Sequence, residues 1–311
     1  MDKPALFPVT VENRDGYIDR TGQIIIPPQY EYAFEFSEGL AEVVVEGRSG
    51  FVDETGAMIV PPSFEGAKPF CGGLALVKVN DLWGVIDRSG AFVIRPSYVN
   101  TGESFSGGLL EFESDGRWGY VDASGRTVIP PEFDFTNAFS EGLACVVREE
   151  RFGYLDRNGA VQIPFRFIEA GPFVDGFAWA KPDDRCGYLR PDGTFAIEPQ
   201  FEGAGEFSEG LAPVVVGQKE GFIDISGEFV IPPQVLEVTG FSEGLAAVWG
   251  ADQWGFMDKQ GQVVIPIQFD HAEPFRGGLA SVSIQRHAYR VNYQEFGYID
   301  LAGRYVWRPS A

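Results

Sequence analysis

A repeat of about 34 residues runs through almost the whole chain and restricts its fold more than any other feature. Its first landmark is a glycine followed by two apolar residues and, in nearly every copy, Asp. This glycine occurs at Gly16, Gly50, Gly84, Gly119, Gly153, Gly187, Gly221, Gly255 and Gly297, in steps of 34, 34, 35, 34, 34, 34, 34 and 42 residues. A second landmark, Phe-x-x-Gly-Leu-Ala or a close variant, keeps the same phase at Phe36, Phe70, Phe105, Phe139, Phe173, Phe207, Phe241 and Phe275. Two landmarks in phase indicate nine copies of one structural unit.

The composition shows which kind of unit repeats. Tetratricopeptide helix pairs have a similar period, but this chain contains 39 Gly and 21 Pro. Pro pairs such as Pro27-Pro28 and Pro130-Pro131 recur in phase, and they leave no window for an uninterrupted helix. The apolar segments between them are short and rich in Val, Ile, Phe and Tyr, which is typical of strands. We therefore expect an all-β protein.

Each unit is expected to contain three antiparallel strands, represented by Leu143–Val147, Trp118–Asp122 and Arg126–Ile129. The segment from Asp122 to Gly125 fits a type I turn, because Asp bonds the backbone two residues on and Gly tolerates a positive φ. The same Asp-x-x-Gly recurs along the chain and predicts a hairpin in each unit.

The end of each unit is expected to be irregular. A Pro pair removes backbone donors and is predicted to end the sheet. Two aromatic residues of the following connection, such as Phe133 and Phe139, are expected in the core between units. Apolar runs such as Ile24-Ile25-Ile26 and Val263-Val264-Ile265 predict that neighbouring units cover both faces of each sheet. The glycines outside the predicted strands are assigned to turns.

Three segments carry a resemblance to a known family. They are Trp83-Gly84-Val85-Ile86-Asp87, Trp118-Gly119-Tyr120-Val121-Asp122 and Trp254-Gly255-Phe256-Met257-Asp258. With the Ile-Pro and Phe-x-x-Gly-Leu that follow, the chain resembles the WG-repeat family of β-rich bacterial proteins over roughly residues 5–307. In six copies another residue replaces the Trp, and Arg190 replaces the Asp of the sixth copy. The resemblance implies a bacterial origin and an all-β repeat array, and it carries no catalytic assignment.

The phase of the repeat predicts the architecture. Residues 5–30 already hold a full unit, and the ninth unit ends after its third strand, whereas propellers usually close by completing one blade from both termini. Nine units also exceed the usual four to eight blades. We therefore expect one repeat domain, 1–311, forming an open twisted array, with a closed β-propeller as the alternative. The units are approximately 5–36, 37–70, 71–105, 106–139, 140–173, 174–207, 208–241, 242–275 and 276–311.

The charge restricts the partners. The net charge of −21 repels polyanions, so nucleic acid and anionic membranes are not expected to bind. No run of 18 apolar residues exists, and the N-terminus lacks the apolar core of a signal peptide, so we expect a cytoplasmic protein. Cys71, Cys145 and Cys186 are scattered, which predicts reduced thiols rather than disulfides.

The sequence contains little that indicates catalysis. His271 and His287 lack the spacing of metal ligands, and no glycine-rich phosphate loop is present, so no metal or cofactor is expected. One Asp per unit is too few for a calcium site. No carboxylate pair stands out from the repeat, which favours a non-enzymatic protein and leaves glycoside hydrolysis open.

Two groups of residues are candidates for binding. An insertion, Ser283–Glu295, lengthens the ninth unit and carries basic and aromatic side chains: Arg286, His287, Tyr289, Arg290 and Tyr293. It is either an extended hairpin that caps the array or a contact loop. Trp179 and Trp249 lie away from the repeated Trp position and are either core residues or exposed stacking platforms.

The loops between the first and second strands differ most from unit to unit. They are Glu46–Ser49, Asn80–Leu82, Glu113–Arg117, Arg148–Arg151, Lys181–Arg185, Gln218–Glu220 and Gly250–Gln253. Variable loops on a regular scaffold are where repeat proteins place recognition. The sequence thus favours a scaffold that binds a protein with a basic surface. A carbohydrate-binding or glycan-active protein and a structural element of a larger assembly are the alternatives.

Overall fold

The computed structural model describes residues 6–235, 237–288 and 291–308, with the side chains of residues 235, 285–288 and 291–295 left out. These residues form nine antiparallel sheets and no helix. No helix among them is therefore long or apolar enough to cross a membrane. The expectation of an all-β protein is confirmed.

Each complete sheet contains a short strand followed by three long strands, hydrogen-bonded in chain order. The short strands are Tyr32–Ala33, Gly66–Ala67, Phe135–Ser140, Glu169–Ala170, Gly203–Ala204, Glu237–Val238 and His271–Ala272. The first long strands are Phe7–Val11, Leu40–Val45, Leu74–Val79, Leu109–Ser114, Leu143–Arg148, Ala178–Lys181, Ala212–Val216, Leu245–Gly250 and Leu279–Ala288. The second long strands are Arg14–Ile18, Arg48–Asp53, Leu82–Asp87, Arg117–Asp122, Arg151–Asp156, Cys186–Leu189, Lys219–Ile223, Gln253–Asp258 and Val291–Asp300. The third long strands are Ile24–Tyr30, Met58–Phe64, Phe92–Tyr98, Thr127–Phe133, Val161–Phe167, Phe195–Phe201, Phe229–Val235, Val263–Phe269 and Tyr305–Trp307.

The chain divides into two compact units, 1–166 and 167–311. The first contains the first five sheets, and the second contains the last four.

The short strand corrects the prediction of three strands per unit. In the second sheet, Tyr32 and Ala33 pair with Val44 and Val43 of the first long strand. In the fourth sheet a single bridge between Thr101 and Phe112 takes this place. The connection expected to be irregular therefore adds an edge to the next sheet.

The third long strand continues through the Pro pair, contrary to the prediction that the pair ends the sheet. In the fourth sheet, Trp118 pairs with Phe133 and Tyr120 pairs with Ile129, so residues 130–132 bulge opposite Gly119. Proline is tolerated because a bulge does not require its missing donor.

The bulge explains the glycine of the first landmark. A Cβ atom on Gly119 would lie 2.5 Å from the carbonyl oxygen of Ile129 and 2.7 Å from the nitrogen of Pro131. Both atoms belong to the backbone, which no rotamer change can move away. This glycine therefore serves close packing inside the sheet, at its predicted place in the second long strand.

The Asp-x-x-Gly turn has the predicted form. Asp122 Oδ1 accepts hydrogen bonds from Ser124 Oγ at 2.6 Å, from Ser124 N at 2.9 Å and from Arg126 N at 3.1 Å. The Ser124 hydroxyl, followed by the backbone N–H groups, lowers the pKa of Asp122 to about 2. Gly125 has a φ of 81° and donates its N–H to the Asp122 carbonyl.

The sixth sheet keeps this turn although Arg190 replaces the Asp. The carboxylate of Asp192, two residues later, accepts the Thr194 N–H at 2.9 Å and the Thr194 hydroxyl at 2.7 Å. The departure from the repeat is therefore compensated locally.

The core lies between consecutive sheets, as predicted for the aromatic residues of the connection. Phe133 and Phe139 are buried, and the ring centroids of Tyr120 and Phe139 are 4.9 Å apart. Phe51 with Phe70 repeats this arrangement at 4.8 Å.

The apolar runs of the third long strands are covered less than predicted. Ile26 is 1% exposed, but Ile24 and Ile25 are 42% and 39% exposed. Val263 and Val264 are similarly exposed. The third long strand is an edge strand, and its buried residues are the third and the seventh, as in Ile26 and Tyr30.

Consecutive four-stranded antiparallel sheets are the blades of β-propellers. The fold class is accordingly the propeller alternative, and the preference for an open array was wrong. That preference assumed three-stranded units that begin at the first long strand. Because seven of the nine described sheets also contain the short strand before the first long strand, the phase of the repeat at residues 5–30 no longer argues against a propeller.

Candidate interaction surfaces

A side-chain hydrogen bond links five of the landmark Phe segments to the next one along the chain. The residue after the Phe donates to the carbonyl oxygen of the following Phe. Examples are Ser37 to Phe70 at 2.6 Å, Cys71 to Phe105 at 3.3 Å, Ser208 to Phe241 at 2.5 Å and Ser242 to Phe275 at 2.5 Å. The turns that carry these residues therefore hold consecutive sheets together.

The Glu of the same turn serves cohesion as well. Glu38 has a φ of 52°, which is unusual for a residue other than glycine. Its carboxylate accepts the N–H groups of Gly72 and Gly73 in the next sheet, at 2.7 and 2.9 Å. Glu209 makes the equivalent bond to Gly244 at 3.1 Å. Part of the acidic surface is therefore committed to the fold.

The turns between the first and second long strands are tight, although they were predicted as variable loops. Glu46 and Gly47 have φ values of 51° and 69°, and Asn80 and Asp81 have values of 50° and 62°. Two successive positive φ values identify two-residue turns of type I′. Most of these turns therefore differ from one another in side chains rather than in length, whereas four residues, 182–185, separate the first two long strands of the sixth sheet.

A second set of carboxylates supports these turns from the preceding strand. Glu65 accepts the N–H groups of Asp81 and Asn80, both at 3.0 Å, and these bonds lower its pKa. Glu31 accepts the N–H of Gly47 in the same way at 2.9 Å.

The tips of the turns carry a third set of carboxylates, which are exposed. They are Glu12, Glu46, Asp81, Asp115, Glu149, Glu150, Asp183, Asp184 and Asp252. The nearby Arg48 and Arg185 pair instead with Glu65 and Glu202, at 3.8 and 3.3 Å. Among the tips, Asp81 pairs with Lys78 at 3.2 Å and Asp183 accepts the N–H of Arg185 at 3.2 Å. The remaining tips are exposed acidic groups that are available to a partner.

Trp179 lines a cleft of about 470 Å³ within residues 167–311. Phe207 and Pro213 form further walls, and Glu206 lies at the cleft with its side chain exposed. The indole of Trp179 lies so close to Gly171, its neighbour on the short strand, that a Cβ there would collide with it. Trp179 is half-buried, so it is neither a pure core residue nor a fully exposed platform.

Trp249 lies in a different environment. It is half-buried, pairs with Trp254 across the hairpin, and its ring centroid is 5.5 Å from that of Trp254 in an edge-to-face arrangement. Its neighbour on the short strand is Glu237. The structure does not bring Trp249 and Trp179 together in one described cleft.

The insertion lengthens a hairpin. Its two strands, Leu279–Ala288 and Val291–Asp300, contain ten residues each and remain paired from Leu279 with Asp300 to Ala288 with Val291. The side chains of the candidate residues lie outside the described part of the chain: Arg286, His287, Tyr289, Arg290 and Tyr293. Whether the hairpin is a cap or a contact loop stays a prediction.

Two buried carboxylates were not predicted. Glu111 is 4% exposed, burial raises its pKa to about 7, and its Oε2 atom has no hydrogen-bond partner among the described residues. Glu42 Oε1 accepts the hydroxyl of Ser49 at 2.6 Å and the N–H of Ala67 at 3.2 Å. Both occupy the third residue of a first long strand, which varies among the sheets and could have been identified as a departure from the repeat.

The described residues hold no group of three or more His, Cys, Asp and Glu side chains that fits a metal ion. His271 lies 2.7 Å from Glu273. The three cysteines are present as thiols, and Cys145 and Cys186 are buried.

Comparison with solved structures gives the crystal structure of the eukaryotic initiation factor, with a TM-score of 0.67 and 12% identity. That match covers 97% of this chain and 95% of the other, and at this identity it indicates a shared fold only. Sqt1 from Saccharomyces cerevisiae (TM-score 0.45, 9% identity, 88% of this chain and 93% of that one) is more distant. So is Hsv2 from Kluyveromyces lactis (TM-score 0.40, 9% identity, 96% of each chain). No curated protein matches the sequence.

The repeat itself matches a known family model, described as WG containing repeat. The matches cover residues 16–48, 50–83, 83–118, 118–150, 152–186, 187–219, 221–248 and 254–285. The matched segments contain the glycine that the proline bulge packs against and the Asp-x-x-Gly turn, so the features that shape each sheet are those of the family. The chain belongs to the WG-repeat family.

Proposed function

We propose that this protein is a non-enzymatic, cytoplasmic scaffold, of bacterial origin as the family resemblance suggests, that binds a protein partner with a basic surface. The observation that carries the proposal is the set of exposed carboxylates at the tips of the turns between the first and second long strands. Carboxylates such as Glu38 and Glu65 bind backbone N–H groups, whereas most of the tip carboxylates are exposed together at the hairpin ends, where they can attract a partner. Complementary charge of this kind speeds association and selects the partner.

The experiment compares capture of proteins from a bacterial lysate by three forms of the chain, at low and physiological ionic strength. The tip variant combines Glu46→Asn, Asp115→Asn and Glu149→Asn, because Asn tolerates the positive φ of these positions. The control combines Glu198→Gln, Glu228→Gln and Glu237→Gln, which removes the same charge at exposed positions away from the tips.

Proteins captured by the native chain and by the control, and lost by the tip variant, would support the proposal. Capture of no protein at either ionic strength would refute it. Equal loss with both variants would also refute it, because net charge rather than the tips would then explain binding.

The Trp179 cleft favours glycan binding as a second candidate function. An aromatic wall next to an exposed carboxylate, Glu206, is the combination that pockets use for ligands with both apolar and polar faces. A glycan array tests it, with Trp179→Ala as the disrupted variant and Trp249→Ala as the matched control. An array without hits, or equal binding by both variants, would remove this candidate.

A further inference from the structure

An open apolar groove lies between the second and third sheets, within residues 1–166. Its volume is about 540 Å³, and its walls include Phe64, Val79, Leu82, Phe92 and Pro96. The rings of Phe64 and Phe92 meet edge to face, with centroids 6.2 Å apart. The volume falls in the range of roughly 300–1,000 Å³ that is typical of ligand pockets.

The equivalent groove between the fourth and fifth sheets is filled by the chain itself. There the guanidinium of Arg148 lies 4.8 Å from the ring centroid of Phe133 and 4.9 Å from that of Phe165. It also forms an ion pair with Glu132 at 2.6 Å. Val79 occupies the position of Arg148 in the repeat and is too short to reach across, which leaves the groove open.

Arg95 lines the open groove and is not explained by the fold. Equivalent strands carry the first proline of the pair at this position, as in Pro27, Pro61 and Pro130. Arg95 is exposed and forms no ion pair among the described residues, although the chain has a net charge of −21. Glu65, nearby, already binds two backbone N–H groups and Arg48.

We propose that this groove binds the C-terminal residue of a partner chain whose last side chain is apolar. The apolar side chain would pack against the wall formed by Phe64 and Phe92, and the α-carboxylate would pair with the guanidinium of Arg95. Arginine binds carboxylates through two parallel hydrogen bonds, and capture of a terminal carboxylate is a known mode of peptide recognition. The site uses none of the tip carboxylates as a contact, although Asn80, the neighbour of Asp81, also lines the groove.

The test uses fluorescence anisotropy of a labelled peptide, Gly-Ser-Gly-Val-Phe, with a free C-terminal carboxylate or a C-terminal amide. The native chain should bind the acid about tenfold more tightly than the amide, since the charged hydrogen bonds are lost in the amide. Arg95→Gln should abolish this difference. Arg95→Pro restores the residue that the repeat carries at this position, so this variant is expected to fold. It should also abolish the difference between acid and amide, which separates loss of binding from loss of folding.

A second variant tests the groove itself. Val79→Arg should fill it as Arg148 fills its equivalent and should prevent binding of either peptide, although it adds positive charge. Arg20→Gln removes the same charge as Arg95→Gln from an exposed turn and should leave binding unchanged.

Three results would overturn the proposal. They are equal affinity for acid and amide, no binding at millimolar peptide, and equal weakening by Arg95→Gln and Arg20→Gln. Competition by free phenylpropanoate at the same concentration as the peptide would instead assign the groove to small apolar acids and exclude the chain terminus.

Discussion

Replacing Gly119 with Ala tests the role of the proline bulge in stability. The added Cβ would lie 2.5 Å from the Ile129 carbonyl oxygen, whereas ordinary contact begins at 3.4 Å. Backbone atoms of Pro130 and Pro131 lie at 2.7 Å, so three contacts must relax together. Overpacking of this kind costs roughly 1–3 kcal/mol. Because the contacts are with backbone, we expect a value near the upper end.

Alanine also restricts the unfolded chain, which stabilises the fold by about 0.4–1 kcal/mol. The expected net loss in the free energy of unfolding is therefore about 2 kcal/mol. Gly66→Ala is the matched control, because Gly66 has no atom within 4 Å of its Cβ position and no positive φ. That variant should be neutral or slightly stabilising.

Urea unfolding followed by tryptophan fluorescence measures both variants, since Trp83 and Trp118 report on residues 1–166. The midpoint should fall for Gly119→Ala at an unchanged slope, which indicates a change of stability alone. A Gly119→Ala midpoint equal to that of the native chain, or equal shifts for both variants, would refute the packing argument.

Four further predictions concern single side chains. Burial raises the pKa of Glu111 to about 7, so the folded state retains its proton longer than the unfolded state does. The free energy of unfolding should therefore fall as the pH rises from about 4.5 to 7. At about pH 8, Glu111→Gln should be more stable than the native chain by roughly 2–3 kcal/mol. Urea unfolding at several pH values measures both effects. The pKa of Asp122 is lowered to about 2, so the carboxylate stabilises the fold above the unfolded pKa near 3.8, and this stabilisation is lost as the pH falls toward 2. Asp122→Asn should therefore flatten the dependence of the unfolding free energy on pH between about 4 and 2. Ser208→Ala removes the hydroxyl that donates to the Phe241 carbonyl oxygen and should cost about 1 kcal/mol in thermal unfolding, whereas Ser97→Ala, which loses only a local bond, should cost less. Burial raises the pKa of the Cys145 thiol to about 12, so iodoacetamide should leave it unmodified in the folded protein, as mass spectrometry would show.

The sequence predicts the local features of the fold well. The turn from Asp122 to Gly125 and the buried rings of Phe133 and Phe139 follow from residue types at fixed spacing. The short strand is not predictable in this way, because two residues such as Tyr32 and Ala33 are too few to show a period of two. The path of the third long strand through Pro130 and Pro131 was missed because a bulge depends on how the neighbouring strand is placed.

The candidate sites depend on departures from the repeat. Trp179 was identified because it lies outside the repeated Trp position, and the structure gives it a cleft. Arg95 was missed, although it replaces a proline in an otherwise regular column. Its importance follows from the neighbouring Val79, which leaves open a space that Arg148 fills elsewhere. That comparison requires coordinates.

The hydrogen bond from Ser37 to Phe70 joins a donor in one copy to an acceptor in the next. Every copy that repeats this pattern therefore carries both a hydroxyl donor for the next copy and a carbonyl acceptor for the previous copy. When one complete copy is gained or lost, a donor and an acceptor meet again at the new junction, without a change in any other residue. Genes of this kind can lengthen or shorten by whole-copy duplication or deletion, while single substitutions such as the one at Arg95 give individual copies a new role.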